Sequence, residues 1–262
     1  MQVIKRSGER EDFDRRKTLA AIERAGVARE EAEIIVAQIE AQLYNGITTE
    51  EIYRRVHQLL QGRRAARFGL KKAFLRLGPE GEYFERYIAR LFQVQGFETE
   101  NRLILQGKCV GHEIDVLMER GGERTMVECK FHNSLGTKSN IQCALYVHAR
   151  FLDLKDGERI ARTMLVTNTR FTSDVERYAS CVGMDLLGWN YPEDRGLEDL
   201  ATTSQLFPVT LLDMRRSDQL TLLAHRFVSV DEVLSRVEDV RRLLSRESAQ
   251  DVERQAREVL GR

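Results

Sequence analysis

One stretch of this chain, "GHEIDVLMERGGERTMVECKF" at residues 111–131, limits what it can fold into more than any other. Ile114, Val116 and Met118 read as one strand and Met126 to Phe131 as the next. Gly121 and Gly122 between them tolerate the positive φ angles of a tight connection, so the segment is expected to form a β-hairpin. Side chains alternate along a strand, which puts Glu128, Lys130 and His132 on one face and the apolar Val127, Cys129 and Phe131 on the other. Asp115, on the partner strand, then lies beside Glu128. Two carboxylates brought together repel unless a cation sits between them. Hard oxygen donors of this kind suit Mg²⁺, and a lysine close by can hold or activate a water or stabilise charge on a phosphate. The hairpin reads as half of a magnesium site. The competing reading makes Asp115 turn-proximal polarity and Glu128–Lys130 a cross-strand ion pair.

The rest of the composition fits around that hairpin. With 262 residues, 42% hydrophobic and 31% charged, the chain suits two or three modest globular domains. A formal net charge of zero excludes a uniformly basic coat for nucleic acid while leaving local patches open. The four cysteines, Cys109, Cys129, Cys143 and Cys181, form no CxxC pair. Together with the hydrophilic start "MQVIKRSGERED", they set the expectation of a reducing cytoplasm and no signal peptide. No apolar run is long enough to span a bilayer, so no membrane partner is expected. Cys109-x-x-His112 and Cys129-x-x-His132 suggest zinc, but odd spacing on a strand points Cys129 and His132 to opposite faces, and the zinc reading is rejected. Pro79, Pro192 and Pro208 all fall where composition changes. They divide the chain into segments 1–78, 79–195 and 196–262.

The first segment opens with a short apolar strand, turns at Ser7–Gly8 and enters a helix. Ala32, Val36, Ile39 and Leu43 follow at helical spacing. Thr48 and Glu51 are placed as a capping box before Ile52, Val56 and Leu59. "VIKRSGEREDFDRRK", "ITTEEIYRRVHQLL" and "AARFGLKKAF" together resemble the ATP-cone, the nucleotide-sensing domain of ribonucleotide reductases and of the repressor of their genes. The resemblance implies that Lys5, Arg6 and Lys17 meet the phosphates of ATP or dATP, and that Glu11, Asp14 and Thr48 help hold the nucleoside. A purine nucleoside triphosphate does need several convergent cations; the bland alternative is an ordinary solvated surface. From Ile52 to Pro79 there is no acidic residue, while Arg54, Arg55, Arg63, Arg64, Arg67, Lys71, Lys72 and Arg76 all occur. DNA contact, completion of the nucleotide site and a solvated helix face all account for that run.

In the second segment a helix with Phe84, Ile88, Leu91 and Phe92 on one face precedes the hairpin. "NIQCALYVHARFLDL" reads as a helix, "RTMLVTNTRF" as a buried strand, "TSDVERYASCVG" as a helix and "MDLLGW" as a last strand. The order αβββαβαβ implies an α/β sheet with helices on both faces. "GEYFERYIARLF", "GHEIDVLM", "VECKF", the glutamine opening the next helix, "LVTNTRFTSDVERYA" and "MDLLGW" resemble, in that order, the Mrr branch of the PD-(D/E)XK nuclease superfamily. The resemblance implies a restriction-endonuclease-like core cleaving DNA with Mg²⁺ or Mn²⁺. In it Asp115 and Glu128 are metal ligands, Lys130 activates water, Gln142 is an added polar group, and Glu85 is a helix-borne acid for which Glu82 competes. "IDVLM" lacks the proline that the superfamily name writes. His112 and His132 are candidates for DNA contact or for no role.

The third segment is helical in pattern, with Leu220, Leu223, Phe227, Val230, Val233, Leu234, Val237 and Leu243 at its apolar positions. "LLAHRFVSVDEVLS" resembles half of a helix-hairpin-helix but lacks the glycine of that motif. A homodimer, DNA contact and docking on the cone are all open for it. The expectation for the whole is a mostly helical cone, a mixed α/β nuclease core and a small helical domain. The function expected is a nucleotide-regulated, metal-dependent endonuclease. The alternative is a nucleotide-responsive DNA-binding protein that keeps the nuclease fold without useful catalysis.

Overall fold

The computed structural model describes residues 1–262 apart from Arg6, Pro79, Glu80, Leu135 and the side chain of Arg63. The chain divides into two compact units, Met1–Leu70 with Glu253–Arg262, and Lys71–Val252.

In the first unit β1 (Gln2–Ile4) pairs antiparallel with β2 (Arg10–Asp12) and parallel with β3 (Ile47–Thr48), giving the order β2-β1-β3. Helices α1 (Arg15–Arg24), α2 (Arg29–Glu40) and α3 (Thr49–Leu59) bury Ile22, Val36, Ile39 and Val56 around Ile47. Two of these helices start on side-chain caps. Asp14 accepts the Lys17 N–H at 3.0 Å, and Thr48 accepts the Glu51 N–H at 3.1 Å. Only half of the expected capping box forms, because Glu51 turns its carboxylate to Arg55, at 2.6 Å, and to the Tyr44 hydroxyl, at 2.8 Å. Leu59 is exposed; the core takes Leu60 instead, which continues the Ile52–Val56 stripe at four-residue spacing.

Helix α4 (Gly62–Leu75) leads into the second unit, where α5 (Glu82–Val94) precedes a five-stranded sheet. Its strands are β4 (Glu98–Gln106), β5 (Gly111–Arg120), β6 (Glu123–Lys130), β8 (Ile160–Thr167) and β10 (Asp185–Leu187), in the order β10-β8-β6-β5-β4. β4, β5 and β6 form an antiparallel meander, and β6–β8 and β8–β10 are parallel. A separate pair, β7 (Lys138–Ser139) and β9 (Arg170–Phe171), runs parallel. The expected hairpin turns at Gly121 and Gly122, whose φ angles of +63° and +81° suit the right-handed strand twist.

Helices α6 (Ile141–Leu154) and α7 (Ser173–Val182) bury Ala144, Val147, Val175 and Ala179 against Ile114, Leu117, Met126 and Leu165. Helix α5 buries Phe84, Tyr87, Ile88 and Leu91, and Phe84 meets Phe131 of the post-hairpin loop with ring centroids 5.7 Å apart. The sheet is thus flanked by helices, a mixed α/β layer structure.

The third segment continues within the second unit as α8 (Leu197–Thr203), α9 (Arg216–Ala224), α10 (Val230–Ser235), α11 (Val237–Leu243) and α12 (Arg246–Leu260), whose last turns belong to the first unit. It is fastened to α5 and the end of α4. The Tyr87 hydroxyl donates to the Leu206 carbonyl at 2.5 Å, and Thr210 Oγ1 donates to the Ala73 carbonyl at 2.7 Å. Arg90 pairs with Asp231 at 3.0 Å. Leu220 is exposed rather than buried, because α9 turns Gln219, Leu222 and Leu223 inward.

Candidate active site

The β5–β6 hairpin brings Asp115 and Glu128 to adjacent positions, one step beyond the Val116↔Val127 pair. Asp115 Oδ2 accepts the Cys129 N–H at 2.7 Å, which anchors one carboxylate oxygen to the neighbouring strand. Burial raises the Asp115 pKa above the usual carboxylate range, and the Cys129 N–H works against that rise. Glu128 is pushed up to about 7, first by burial and then by the Asp115 charge. Glu85, in the first turn of α5, is also pushed up to about 7 by burial and then by Asp115. The Asp115 charge therefore acts on both Glu128 and Glu85. Glu82, the competing helix-borne acid, is committed elsewhere, to Arg86 at 2.5 Å and Arg102 at 3.5 Å.

Lys130 is exposed, and its charge acts on Glu128 without a direct ion pair among the described residues. Its strand end is held firmly. Asn168 accepts the His132 N–H and donates to the His132 carbonyl, both at 2.8 Å, and the His132 ring meets Ser139 Oγ at 3.0 Å. Gln142 is exposed in the first turn of α6 and, among the described residues, makes no hydrogen bond to the carboxylates. His112 is turned away from this set, to Asp153 at 2.8 Å, and Asp153 also accepts the Cys109 N–H.

Sequence reasoning missed Arg150. It follows Val147 by three residues and precedes Leu154 by four, on the buried stripe of α6, and it is 6% exposed. From there Nη1 donates to Glu128 Oε2 at 2.5 Å, and the guanidinium lies 5.2 Å from the Tyr146 ring centroid. A lone arginine at a core position of an amphipathic helix was the signal available, since a buried charge needs a partner.

Among the described residues, no group of three or more His, Cys, Asp or Glu side chains is arranged to hold a metal ion. Asp115 and Glu128 still suit Mg²⁺ chemically. They are hard oxygen donors, raised in pKa first by burial, and this ion is commonly held by one or two carboxylates, with water and substrate phosphate completing its shell.

In the first unit, Lys5 follows β1 and pairs with Glu11 at 2.8 Å and Glu9 at 3.1 Å. Thr48 lies beside Ile4 in the β1–β3 register. Lys17 is exposed in the first turn of α1, and Asp14 caps that helix. Arg6 lies outside the described residues, as does the seam at Pro79.

A mixed five-stranded sheet flanked by helices, with an acid, acid and lysine set on its central hairpin, defines a restriction-endonuclease-like fold. The ATP cone domain family matches residues 1–76, and the restriction endonuclease family of the Mrr type matches residues 78–188. An uncharacterized protein from Archaeoglobus fulgidus is 40% identical over 176 residues, which cover 66% of this chain and 100% of that protein. The crystal structure of a protein of unknown function matches with a TM-score of 0.63 at 38% identity, covering 70% of this chain and 99% of that one. This chain joins an ATP cone domain to an Mrr-type restriction endonuclease domain, and it belongs to one family with the Archaeoglobus fulgidus protein.

Proposed function

We propose that the protein is a Mg²⁺- or Mn²⁺-dependent endodeoxyribonuclease, regulated by ATP or dATP bound to its cone. The observation that carries the reading is the crowding of Asp115, Glu128 and Glu85, two of them pushed up to about 7, around a hairpin that also bears Lys130. A fold gains nothing from buried carboxyls that repel one another, and perturbed acids of this kind mark working sites. Asp115 and Glu128 hold the metal, with Glu85 beside them. When bound, the metal offsets phosphate charge and lowers the pKa of water. Lys130, as a cation, would orient that water and offset charge developing on the phosphate, and Gln142 would be an added polar group near the centre.

Lys5, Arg6 and Lys17 meet the triphosphate, and Glu11, Asp14 and Thr48 hold the nucleoside. In this reading the functional segments are 1–78, 79–195 and 196–262, with the third buttressing the second through Tyr87 and the end of the first through the bond from Thr210 to Ala73. Among the described residues, no helix is long and apolar enough to cross a membrane. A cytoplasmic protein, either monomeric or a homodimer, fits the proposal.

A second reading has one observation in its favour. Arg150 already supplies a cation to Glu128, as expected of a nucleotide-responsive DNA-binding protein whose nuclease fold has stopped cleaving. Incubating supercoiled plasmid with the protein and Mg²⁺ or Mn²⁺, with and without ATP or dATP, separates the two. Nicked or linear product supports the endonuclease; intact plasmid under every combination, with DNA still bound, supports the second reading.

A further inference from the structure

On β4, Arg102 stands opposite Asp115, because the ladder pairs Asn101 with Val116 and Leu103 with Ile114 on either side. Arg102 and Asp115 themselves do not pair. Arg102 has φ +54°, in the left-handed region that a non-glycine residue occupies at a cost. The Asp115 carbonyl is met instead by the side-chain amide of Asn101 at 3.3 Å. The alternation of β5 also slips here, since Ile114 and Leu117, an odd number of residues apart, both lie in the core beneath α6 and α7.

This break does not serve packing, because the Arg102 side chain is 48% exposed and β4 is the edge strand. Its effect is to aim a guanidinium at the carboxylate set. Nη2 lies 3.1 Å from Glu113 Oε1 and Nη1 lies 3.5 Å from Glu82 Oε2, and Glu85 is the strongest charge acting on the group. Strained residues cluster where a ligand must be gripped. A phosphodiester approaching three carboxyls meets repulsion, which a forked guanidinium at the rim offsets while fixing the phosphate's position. Exposed ion pairs such as those to Glu113 and Glu82 exchange readily for a better partner.

We infer that Arg102 is a phosphate-gripping residue, parked on Glu113 and Glu82 in the free protein and transferred to a backbone phosphate of duplex DNA beside the carboxylates. The inference rests on the nuclease reading above.

The test is fluorescence-anisotropy titration of a short labelled duplex of mixed sequence in EDTA across a range of KCl, using the full chain. Wild type, Arg102→Gly, Arg102→Ala and Arg102→Lys are compared, with their melting temperatures. Loss of one phosphate contact makes the slope of log K against log salt shallower by about 0.9 in the glycine and alanine variants, with affinity reduced alike for all sequences. Arg102→Lys keeps the wild-type slope. Glycine accepts a positive φ, so Arg102→Gly melts at or above the wild-type temperature. Wild-type affinity and slope in Arg102→Gly and Arg102→Ala overturn the inference and leave the nuclease reading standing. So does a glycine variant that melts well below wild type, since the arginine is then structural. A wild-type protein with no salt-dependent duplex binding overturns both readings together.

Discussion

Arg150 Nη1 donates to Glu128 Oε2 at 2.5 Å, between side chains only 7% and 19% exposed. The pair ties α6 to the hairpin at the point where Glu128 also faces the Asp115 charge. Replacing Arg150 with methionine leaves a buried carboxyl without its donor. The expected loss is roughly 1–3 kcal/mol at about pH 6, where Glu128 is mostly protonated, and more at about pH 8.5, where it is ionised and uncompensated. Urea unfolding at both pH values, repeated in a Glu128→Gln background, checks this. An equal loss in every case would make Arg150 a packing residue only.

The raised carboxyls also set how stability changes with pH. Glu85 and Glu128 titrate at about 7 in the folded protein, against an ordinary value of 4.5. Between those values the native state holds more protons than the unfolded chain, so their contribution is full below about pH 4.5 and is lost as pH rises through 7. Asp153 is held down at about 2 by its bonds to His112 and the Cys109 N–H, so its contribution is lost only in stronger acid. The metal-free protein should therefore melt at progressively lower temperature from about pH 5 to pH 8, and Mg²⁺ should recover the loss most strongly at the alkaline end. Calorimetry in EDTA and then in excess Mg²⁺ measures both slopes. A flat metal-free profile would mean that the acids are better solvated than this fold implies.

Asp115 gives a sharper contrast. In metal-free buffer Asp115→Asn should melt at or above the wild-type temperature, because it removes the repulsion on Glu128 and Glu85 yet keeps an oxygen for the Cys129 N–H. Asp115→Ala leaves that buried N–H without an acceptor and should lose roughly 1–3 kcal/mol. In Mg²⁺-dependent cleavage both should fall on the order of a hundredfold or more, as should Glu128→Ala and Lys130→Ala, because the set acts as a unit. If Asp115→Asn is clearly destabilised without metal, Asp115 is a structural group.

Much of this was legible in the sequence, because the hairpin and the helices around it carry strong local signals. The alternation from Val127 to Lys130, two glycines at the turn and the spacing of Phe84, Ile88 and Leu91 each agree with the element that formed, although the strand starts earlier than expected, at Glu123, and ends one residue before Phe131. What escaped was short or non-local. β3, β7 and β9 are two residues each, too brief for any periodicity. The bond from Tyr87 to Leu206 spans 119 residues, so nothing local marks where the last helices pack. Arg150 was visible as a charge on a buried stripe, but its partner on β6 was not. The positive φ of Arg102 had no signal at all, since glycine, asparagine and aspartate are the residues that announce such a turn.

The cone permits a test separate from cleavage. Lys5 is held by Glu9 and Glu11, and these contacts raise its pKa, so it stays charged and must exchange carboxylates for phosphates when nucleotide binds. Lys17 needs no such exchange; it stands exposed over the start of α1, where helix amides and a lysine together favour an anion. Saturating ATP or dATP should raise the melting temperature, since a ligand at about a hundred times its dissociation constant stabilises the native state by roughly 2.7 kcal/mol. Lys17→Ala should remove most of that shift. Glu9→Gln with Glu11→Gln should enlarge it if the two acids compete with the triphosphate for Lys5, and should shrink it if Glu11 itself holds the nucleoside. Single-turnover cleavage on saturating DNA then locates the coupling. A nucleotide effect on the cleavage rate at fixed occupancy belongs to a regulated enzyme, whereas an effect on DNA affinity alone belongs to a binding protein and must be matched by an equal effect of DNA on nucleotide affinity. No thermal shift with either purine triphosphate would leave the cone as a fold without its ligand.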